Sequence, residues 1–412
     1  MTATAGGAQI LARAQAFFEA RILPRQAEWA AGQAEGAPPP SFIEELRAEA
    51  RAQGLWNLGL TALPEGAEGT PLSHLDFAPL AELTGRLPWA PLVFNCHAPD
   101  LPNMVMLAAL ATPAQRARFL DPLLEGRATS AFAMTEPAVA SADATNIATT
   151  IRREGDEWVI DGRKWYITGG AARELDFHIV MGVSDPEAAR TARHSCILVP
   201  ADTPGVRVVR PLRFLGWEDR AAPIGEIVFE GVRVPAGNLL GERGRGFAAA
   251  QTRLGPARLH HAMRCIGLAE MLIDLMKRRA HERRAFGRAL AEFDTVASWI
   301  AEARIDVEMH RHFVHRAAAR LDEAGFDAAW REISMVKVSV PRMLQQIADR
   351  AIQVFGAAGG SDDLPIHHAF VYARMFRIAD GPDEVHLRQI WRSEPAPDGA
   401  LAQSGYAAPP LA

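Results

Sequence analysis

Cysteine is scarce in this sequence, and its placement excludes two structural devices. The three cysteines, Cys96, Cys196 and Cys265, are far apart, odd in number and form no Cys-x-x-Cys pair. Disulfide scaffolds and structural zinc sites use paired, closely spaced cysteines. We therefore expect no disulfide framework, no metal site, and a reducing compartment, the cytoplasm.

Long apolar runs and an excess of positive charge are also missing. No stretch of about 18 apolar residues occurs, which is roughly the length needed to cross a bilayer. The opening residues lack the basic-then-apolar pattern of a secretory leader. Because the formal net charge is −5, nothing global favours binding to nucleic acid or to an anionic membrane. We expect neither of these as a partner.

What is present indicates a large folded protein that is mainly helical, with one β-domain. The chain has 412 residues, which is longer than one hydrophobic core usually organises. Of these residues 49% are hydrophobic and 23% charged, as in folded globular proteins. Helical periodicity dominates at both ends, including long segments at 259–284, 293–321 and 329–357. Short apolar runs separated by Gly, Pro and Asp turns fill the middle, which is typical of six to eight strands in a barrel or two-sheet sandwich. The predicted domains are 1–128, 129–240 and 241–412.

Two segments in the strand-rich region have a composition suited to a flat polar ligand. Residues 131–150 are dense in small residues and hydroxyls, so backbone N–H groups could approach a ring closely. Residues 161–170 place Trp165 and Tyr166 beside Thr168, which offers a stacking surface and a hydroxyl. Taken alone, the first segment is more typical of a crossover loop and the second of a core strand.

Two charged segments near the C-terminal half leave similar alternatives open. Asp380 precedes Gly-Pro, so it is either an acid that ends a helix or a carboxylate base, and Gly381 would let this turn approach a substrate closely. The basic run 277–288 is either a solvated helix face or a diphosphate site, because arginine donates in a fork to phosphate oxygens. Nothing else in the chain supports nucleic-acid binding by this run.

Six segments in order resemble the acyl-CoA dehydrogenase family, over nearly the whole chain. They read TEPAVAS (135–141), KWYITGG (164–170), GPARLHH (255–261), ERRAFGR (282–288), QVFGAAGG (353–360) and RIADGPDEVH (377–386). The resemblance implies an N-terminal α-helical domain, a middle β-barrel or sandwich and a C-terminal four-helix bundle. It also implies FAD as cofactor, bound between the β-domain and the bundle and shared with a neighbouring subunit of a homodimer or homotetramer.

The resemblance assigns expected roles by motif position. The expected base is Asp380. The expected cofactor contacts are Phe132, Met134, Thr135, Ser141, Tyr166, Ile167, Thr168, Arg283, Phe286, Gln353, Val354, Phe355, Gly356, Ala357, Pro382, Asp383 and Glu384. The expected acyl-CoA contacts are Ser141, Gly255, Pro256, Ala257, Arg258 and Gly381.

The expected reaction is α,β-dehydrogenation of an acyl-CoA thioester to a 2-enoyl-CoA, with an electron-transfer flavoprotein as acceptor. The family's usual base is a glutamate, so Asp380 is a departure, as is Asp294 where glutamine is common. The turn ADGPDEVH (379–386) and the loop FAMTEPAVAS (132–141) together resemble a subfamily linked to 4-hydroxyacyl-CoA breakdown, some of whose members carry a kinase-like domain. Elimination or isomerisation of a 4-hydroxy- or 4-phospho-acyl-CoA, nitroalkane oxidation, and a catalytically silent flavin or acyl-CoA binder are therefore the alternatives.

Overall fold

The computed structural model describes residues 4–31 and 40–395, so the predicted C-terminal domain is described only as far as residue 395. The N-terminal part is helical. The helices there are α1 (Ala5–Phe17), α2 (Gln26–Ala31), α3 (Phe42–Ala52), α4 (His74–Gly85), α5 (Ala90–Val93), α6 (Asp100–Leu110), α7 (Pro113–Gln115) and α8 (Asp121–Leu124). Thr4 caps α1 by accepting from the Gly7 amide, and Thr112 caps α7 with Pro113 in its first turn.

Eight strands then form one connected sheet. They are β1 (Ser130–Ala133), β2 (Thr150–Glu154), β3 (Glu157–Ile167), β4 (Phe177–Val183), β5 (His194–Pro200), β6 (Val206–Pro211), β7 (Gly225–Pro235) and β8 (Leu239–Leu240). Their order is β6-β7-β3-β2-β4-β5-β8, with β1 parallel to β4. Alternate residues of β4 and β5 face two different cores: Val180 and Ile197 pack within the sheet's own core, whereas Ile179 and Leu198 pack on the helices. Both faces of these central strands are therefore buried.

Long helices make up the C-terminal part. They are α9 (Gly246–Glu282), α10 (Asp294–Ala324), α11 (Phe326–Phe355), α12 (Ile366–Phe376) and α13 (Asp383–Ser393), with the short hairpin β9 (Arg284–Ala285) and β10 (Arg288–Ala289) after α9. Helix α9 packs against α10, α11 and, from the N-terminal part, α4. No helix in 4–31 or 40–395 combines the length and apolar character needed to cross a membrane.

The helical, β, helical order confirms the predicted fold class. Element type changes between α8 and β1 and again between β8 and α9, at residues 124–130 and 240–246. The domain limits at 128 and 240 stay a prediction, because a change of element type does not by itself define a domain.

Candidate active site

A large cavity lies where the sheet meets the C-terminal helices. Its volume is about 1020 Å³, and its walls include strand β3, helices α9, α11 and α12, and the turn before α13. Eleven of the predicted site residues line it: Phe132, Met134, Thr135, Ser141, Tyr166, Ile167, Thr168, Arg258, Asp380, Gly381 and Pro382. The fold thus brings the predicted flavin segments and the predicted base to one enclosed space, although they are more than 200 residues apart in sequence.

One wall of the cavity is the irregular end of β3. The pairing of β3 with β7 shifts register between Lys164 and Ile167, and Tyr166 has a positive φ of 50°. Bulges of this kind redirect a side chain and are frequent beside active sites. Tyr166 is 44% exposed, which is unusual for a large aromatic residue at the end of a buried strand. The strand end is consequently an open surface against which a flat ring can lie.

The loop that faces this strand end is fixed by a buried ion pair. Lys164, fully buried in β3, donates to Glu136 Oε1 at 2.9 Å and to the Met134 carbonyl at 2.8 Å. Glu136 in turn accepts from the amides of Ala148 and Thr149, both at 2.8 Å. Burial lowers the pKa of Lys164 to about 8, against the opposing effect of Glu136. Both ends of the loop, at residue 134 and at residues 148–149, are therefore linked to β3 through Lys164 and Glu136.

A second set of bonds links the loop to the same strand at the cavity surface. The Thr135 hydroxyl donates to the Trp165 carbonyl at 2.6 Å, and the Trp165 amide donates to the Thr135 carbonyl at 3.0 Å. The Ser141 hydroxyl accepts from the Glu136 amide at 2.9 Å. Thr135 and Ser141 are thus fixed by hydrogen bonds at the cavity surface.

The turn that carries Asp380 is held by three basic side chains from different helices. Arg258 donates to the Asp380 carbonyl at 2.9 Å, and His386 Nε2 lies 3.3 Å from the same oxygen. The buried ammonium of Lys337 bonds to the Gly381 carbonyl at 3.1 Å and also to the Phe376 carbonyl. Asp380 itself has a positive φ of 56°, a conformation that aspartate tolerates better than most residues.

Charges around Asp380 favour its ionised form. Burial acts to raise the pKa of the Asp380 carboxyl, but the neighbouring His261 ring and the positive charges of Arg253, Arg258 and Lys337 together hold that pKa below its ordinary value. Burial lowers the pKa of Lys337 to about 8, with Asp380 opposing this effect, so the lysine remains largely protonated at neutral pH. The cavity therefore presents a carboxylate with its charge compensated by cations behind it.

Helix α9 contributes three polar side chains that the sequence analysis did not single out for the site. Arg253, His261 and Arg264 all line the cavity. Arg253 Nε, His261 Nδ1 and Arg264 Nε are buried and have no hydrogen-bond partner within residues 4–31 and 40–395. Burial lowers the pKa of Arg253 to about 10, which still leaves it charged at neutral pH. Their spacing of eight and three residues places them on one helix face, but the sequence does not show that this face is buried.

The other predicted site residues do not line this cavity in the single chain. Gly255, Pro256 and Ala257 belong to α9, where a Cβ on Gly255 would come within 2.4 Å of the Phe326 ring. Asp383 is buried in ion pairs with Arg342 and Arg377, at 3.0 and 2.9 Å.

The remaining positions are at the surface or the end of α11. Glu384 is exposed on α13, and Arg283 and Phe286, which is 96% exposed, follow the end of α9. The last group closes α11: Gln353, Val354, Phe355, Gly356 and Ala357. Their roles stay predictions.

Family models match the chain in three consecutive parts. The N-terminal, middle and C-terminal domains of acyl-CoA dehydrogenase match residues 5–127, 131–232 and 244–394.

Individual proteins agree with these models. The probable acyl-CoA dehydrogenase FadE2 of Mycobacterium tuberculosis is 49% identical over 89% of this chain and 88% of its own length. Human acyl-CoA dehydrogenase family member 11 is 43% identical over 94% of this chain, which spans about half (50%) of that longer protein.

Solved structures show the same fold. A candidate acyl-CoA dehydrogenase from Mycobacterium abscessus superposes with a TM-score of 0.91 at 43% identity, covering 99% of this chain and 100% of that one. The acyl-CoA dehydrogenase of Geobacillus kaustophilus gives 0.81 at 26% identity, over 95% and 99% of the two chains. The chain therefore belongs to the acyl-CoA dehydrogenase family of FAD-dependent oxidoreductases.

Proposed function

We propose that this protein dehydrogenates an acyl-CoA thioester to a 2-enoyl-CoA, with Asp380 as the base that removes the α-proton. The observation that carries the proposal is that Asp380 and the predicted flavin-facing residues line one cavity of about 1020 Å³. A pocket of this size can enclose most of a large ligand.

The residues of the cavity fit FAD. The exposed end of β3 at Tyr166 to Thr168 offers a surface for the flavin ring, and the rigid Thr135 and Ser141 offer hydroxyls at its edge. Phe132 and Met134 add apolar contacts from β1 and the loop. When bound, FAD supplies the acceptor for the β-hydride of the substrate.

Asp380 is in the charge state that proton abstraction requires. Its pKa is held low, so it is a carboxylate at neutral pH and can accept a proton. A low pKa also weakens a base, so the proposal places the gain in rate in the positioning of the carboxylate. Arg258, His386 and Lys337 fix the backbone on both sides of it, so the carboxylate is positioned before the substrate arrives. Gly381 keeps this turn free of a side chain, and a backbone N–H of the turn would stabilise negative charge developing on the thioester oxygen.

The partners follow from the same proposal. Arg283, Phe286 and residues 353–357 would reach the diphosphate and adenosine of FAD from a second copy of the chain, in a homodimer or homotetramer. The near-complete exposure of Phe286 in the single chain supports a contact outside it. An electron-transfer flavoprotein would reoxidise the flavin, and the protein would work in the cytoplasm.

Anaerobic addition of acyl-CoA thioesters of graded length and branching tests the proposal. We expect at least one of them to bleach the flavin absorbance of the wild-type protein, and the Asp380→Asn variant to keep its FAD but lose bleaching. Asp362→Asn is the matched control, because Asp362 is exposed and does not line the cavity. If no thioester bleaches the flavin, the proposal is refuted. If the flavin of Asp380→Asn bleaches at the wild-type rate, Asp380 is not the base and another residue removes the proton.

A second reaction at this site is favoured by two cations of α9. Arg253 and Arg264 line the cavity, and the Nε atom of each is buried without a hydrogen-bond partner in the described residues, although Arg253 lies over the Phe132 ring and Arg264 donates to the Cys96 carbonyl. A plain acyl chain offers no acceptor for these two N–H groups. An acyl-CoA with an anionic 4-substituent, such as a 4-phospho group, would pair with them. Asp380 would remove the α-proton, and FAD, when bound, would hold the β-hydride transiently and return it to C4 as phosphate leaves, so the net products would be a 2-enoyl-CoA and inorganic phosphate. Release of inorganic phosphate with no electron acceptor consumed would establish this elimination.

Nitroalkane oxidation is distinguished by the same measurement of anaerobic flavin bleaching. That reaction predicts bleaching by a nitroalkane and none by any thioester.

A further inference from the structure

The backbone and the side chain of Asp380 are held by different groups. Arg258 and His386 contact its carbonyl oxygen, and Lys337 contacts the carbonyl of the next residue. None of these bonds involves the carboxylate. The orientation of the carboxylate therefore depends on other neighbours.

His261 is the neighbour that meets the carboxylate. Its Nε2 lies 3.6 Å from Asp380 Oδ2. The His261 ring is itself fixed, because it lies against the Phe376 ring with centroids 4.1 Å apart. Both side chains are mostly buried, with 14% and 19% of their surface exposed, and both line the cavity.

We propose that His261 is a positioning residue for Asp380: its Nε2–H donates to Oδ2, which orients Oδ1 toward the α-carbon of the substrate. The proposal rests on the proposed function, in which Asp380 is the base. The contact of 3.6 Å is long for a hydrogen bond and would shorten when substrate excludes the remaining water, as catalytic contacts commonly do.

The charge state of the pair agrees with this role. Burial lowers the pKa of His261 to about 3; Asp380 opposes this, whereas Arg264, Lys337 and Arg253 add to it. At neutral pH the ring is thus neutral and carries a single proton, and the tautomer with that proton on Nε2 leaves the unpartnered Nδ1 as the bare nitrogen. A neutral donor orients the carboxylate without taking the proton that the carboxylate must accept.

One helix, α9, contacts both the backbone and the side chain of Asp380. His261 follows Arg258 by three residues on α9, so the same helix face holds the Asp380 backbone through Arg258 and its carboxylate through His261. A shift of α9 would move both contacts together.

Two substitutions separate hydrogen bonding from packing. His261→Gln keeps an N–H donor at about the reach of Nε2, whereas His261→Leu fills a similar volume without any donor. The measurement is the rate of flavin reduction in the FAD-loaded enzyme, with an acyl-CoA that reduces the wild type, across a range of pH. His260→Gln is the control, because the adjacent His260 pairs with His74 and does not line the cavity.

We expect His261→Leu to reduce flavin about 100-fold more slowly with little change in KM, since misplacing a catalytic group costs about that factor. We expect His261→Gln to recover most of the rate. The acid limb of the pH profile should move to higher pH in His261→Leu, because the carboxylate loses a donor that stabilises its charged form.

Equal losses in His261→Gln and His261→Leu, with unshifted pH profiles, would overturn the proposal, and so would a wild-type rate in His261→Leu. If the leucine variant does not fold, an unshifted pH profile together with a 100-fold loss in the glutamine variant is the contradicting result. Asp380→Asn separates this from the proposed function: if it is inactive and the His261 variants are normal, the base assignment stands and only the inference about His261 fails.

Discussion

Replacing Lys164 by methionine should destabilise the loop that faces the end of β3, where the flavin ring is predicted to lie. The lysine is fully buried, and its ammonium bonds to Glu136, to the Met134 carbonyl and, at 2.6 Å, to the Met181 carbonyl. Methionine has nearly the same length and no donor. The substitution would therefore leave the Glu136 carboxylate buried without its cation and two carbonyl groups without this donor.

The expected cost is large because the pair is inside the protein. Removing one partner of a buried ion pair costs about 3 to 5 kcal/mol, mostly because the other charge is left uncompensated. Glu136 keeps two backbone donors, the Ala148 and Thr149 amides, which places the expected loss near the lower end of that range. Adding Glu136→Gln to the same variant should restore part of the stability, since the stranded charge is then removed.

Urea unfolding and the ratio of FAD to protein measure the effect. The matched control is Lys277→Met, because Lys277 is exposed, lies 3.9 Å from Asp274 on the helix surface and should contribute about 0 to 1 kcal/mol. We expect only Lys164→Met to lower the urea midpoint strongly and to lose FAD. A shift in Lys164→Met no larger than that in the control would refute the reasoning, as would full retention of FAD by a destabilised variant.

Two further perturbations have signs fixed by the structure. Burial lowers the pKa of His97 to about 3 and of His178 to about 4; below about pH 6.5 the unfolded chain then binds more protons than the folded one, so stability should fall as pH drops from about 6.5 to about 4. His178→Gln should flatten that dependence in urea midpoints measured across pH, and an unchanged slope would contradict this. Gly381→Ala should slow flavin reduction, because the φ of Gly381 is +98° and the new Cβ would lie 3.0 Å from His386 Nε2. The control is Gly216→Ala. Gly216 has a φ of +80° but open space around it, so this substitution should carry only a backbone cost of about 1 to 2 kcal/mol. Equal reduction rates in the two glycine variants would contradict the second prediction.

Local sequence patterns predicted the order of element types but not the full length of the longest helix. The helix predicted over 259–284 in fact begins at Gly246. Gly255 and Pro256 have low helix propensity, so the local sequence does not predict a helix through them. In the folded protein the lack of a side chain at Gly255 lets the Phe326 ring pack directly on α9. Tertiary packing thus outweighs the local preference, and no single-sequence rule contains that information.

The site was predictable only where a motif carried it. Asp380 and the residues predicted to face the flavin came from ordered family segments, and the structure brings them to one cavity. Arg253, His261 and Arg264 were missed because charged residues on a long helix usually face water; only the fold shows that this face is buried. Lys164 was missed for the same reason, since a lysine in a strand is rarely fully buried.

The proposed function depends on one step, the removal by Asp380 of the α-proton of a thioester bound beside the flavin. The most direct test is stopped-flow flavin reduction by an acyl-CoA carrying deuterium at the α-carbon, in the wild type and in Asp380→Glu. We predict a primary isotope effect in both, with a slower rate in the glutamate variant, whose longer side chain must fit a turn built for aspartate. A wild-type reduction rate that is insensitive to α-deuteration and equal in the two proteins would contradict the claim.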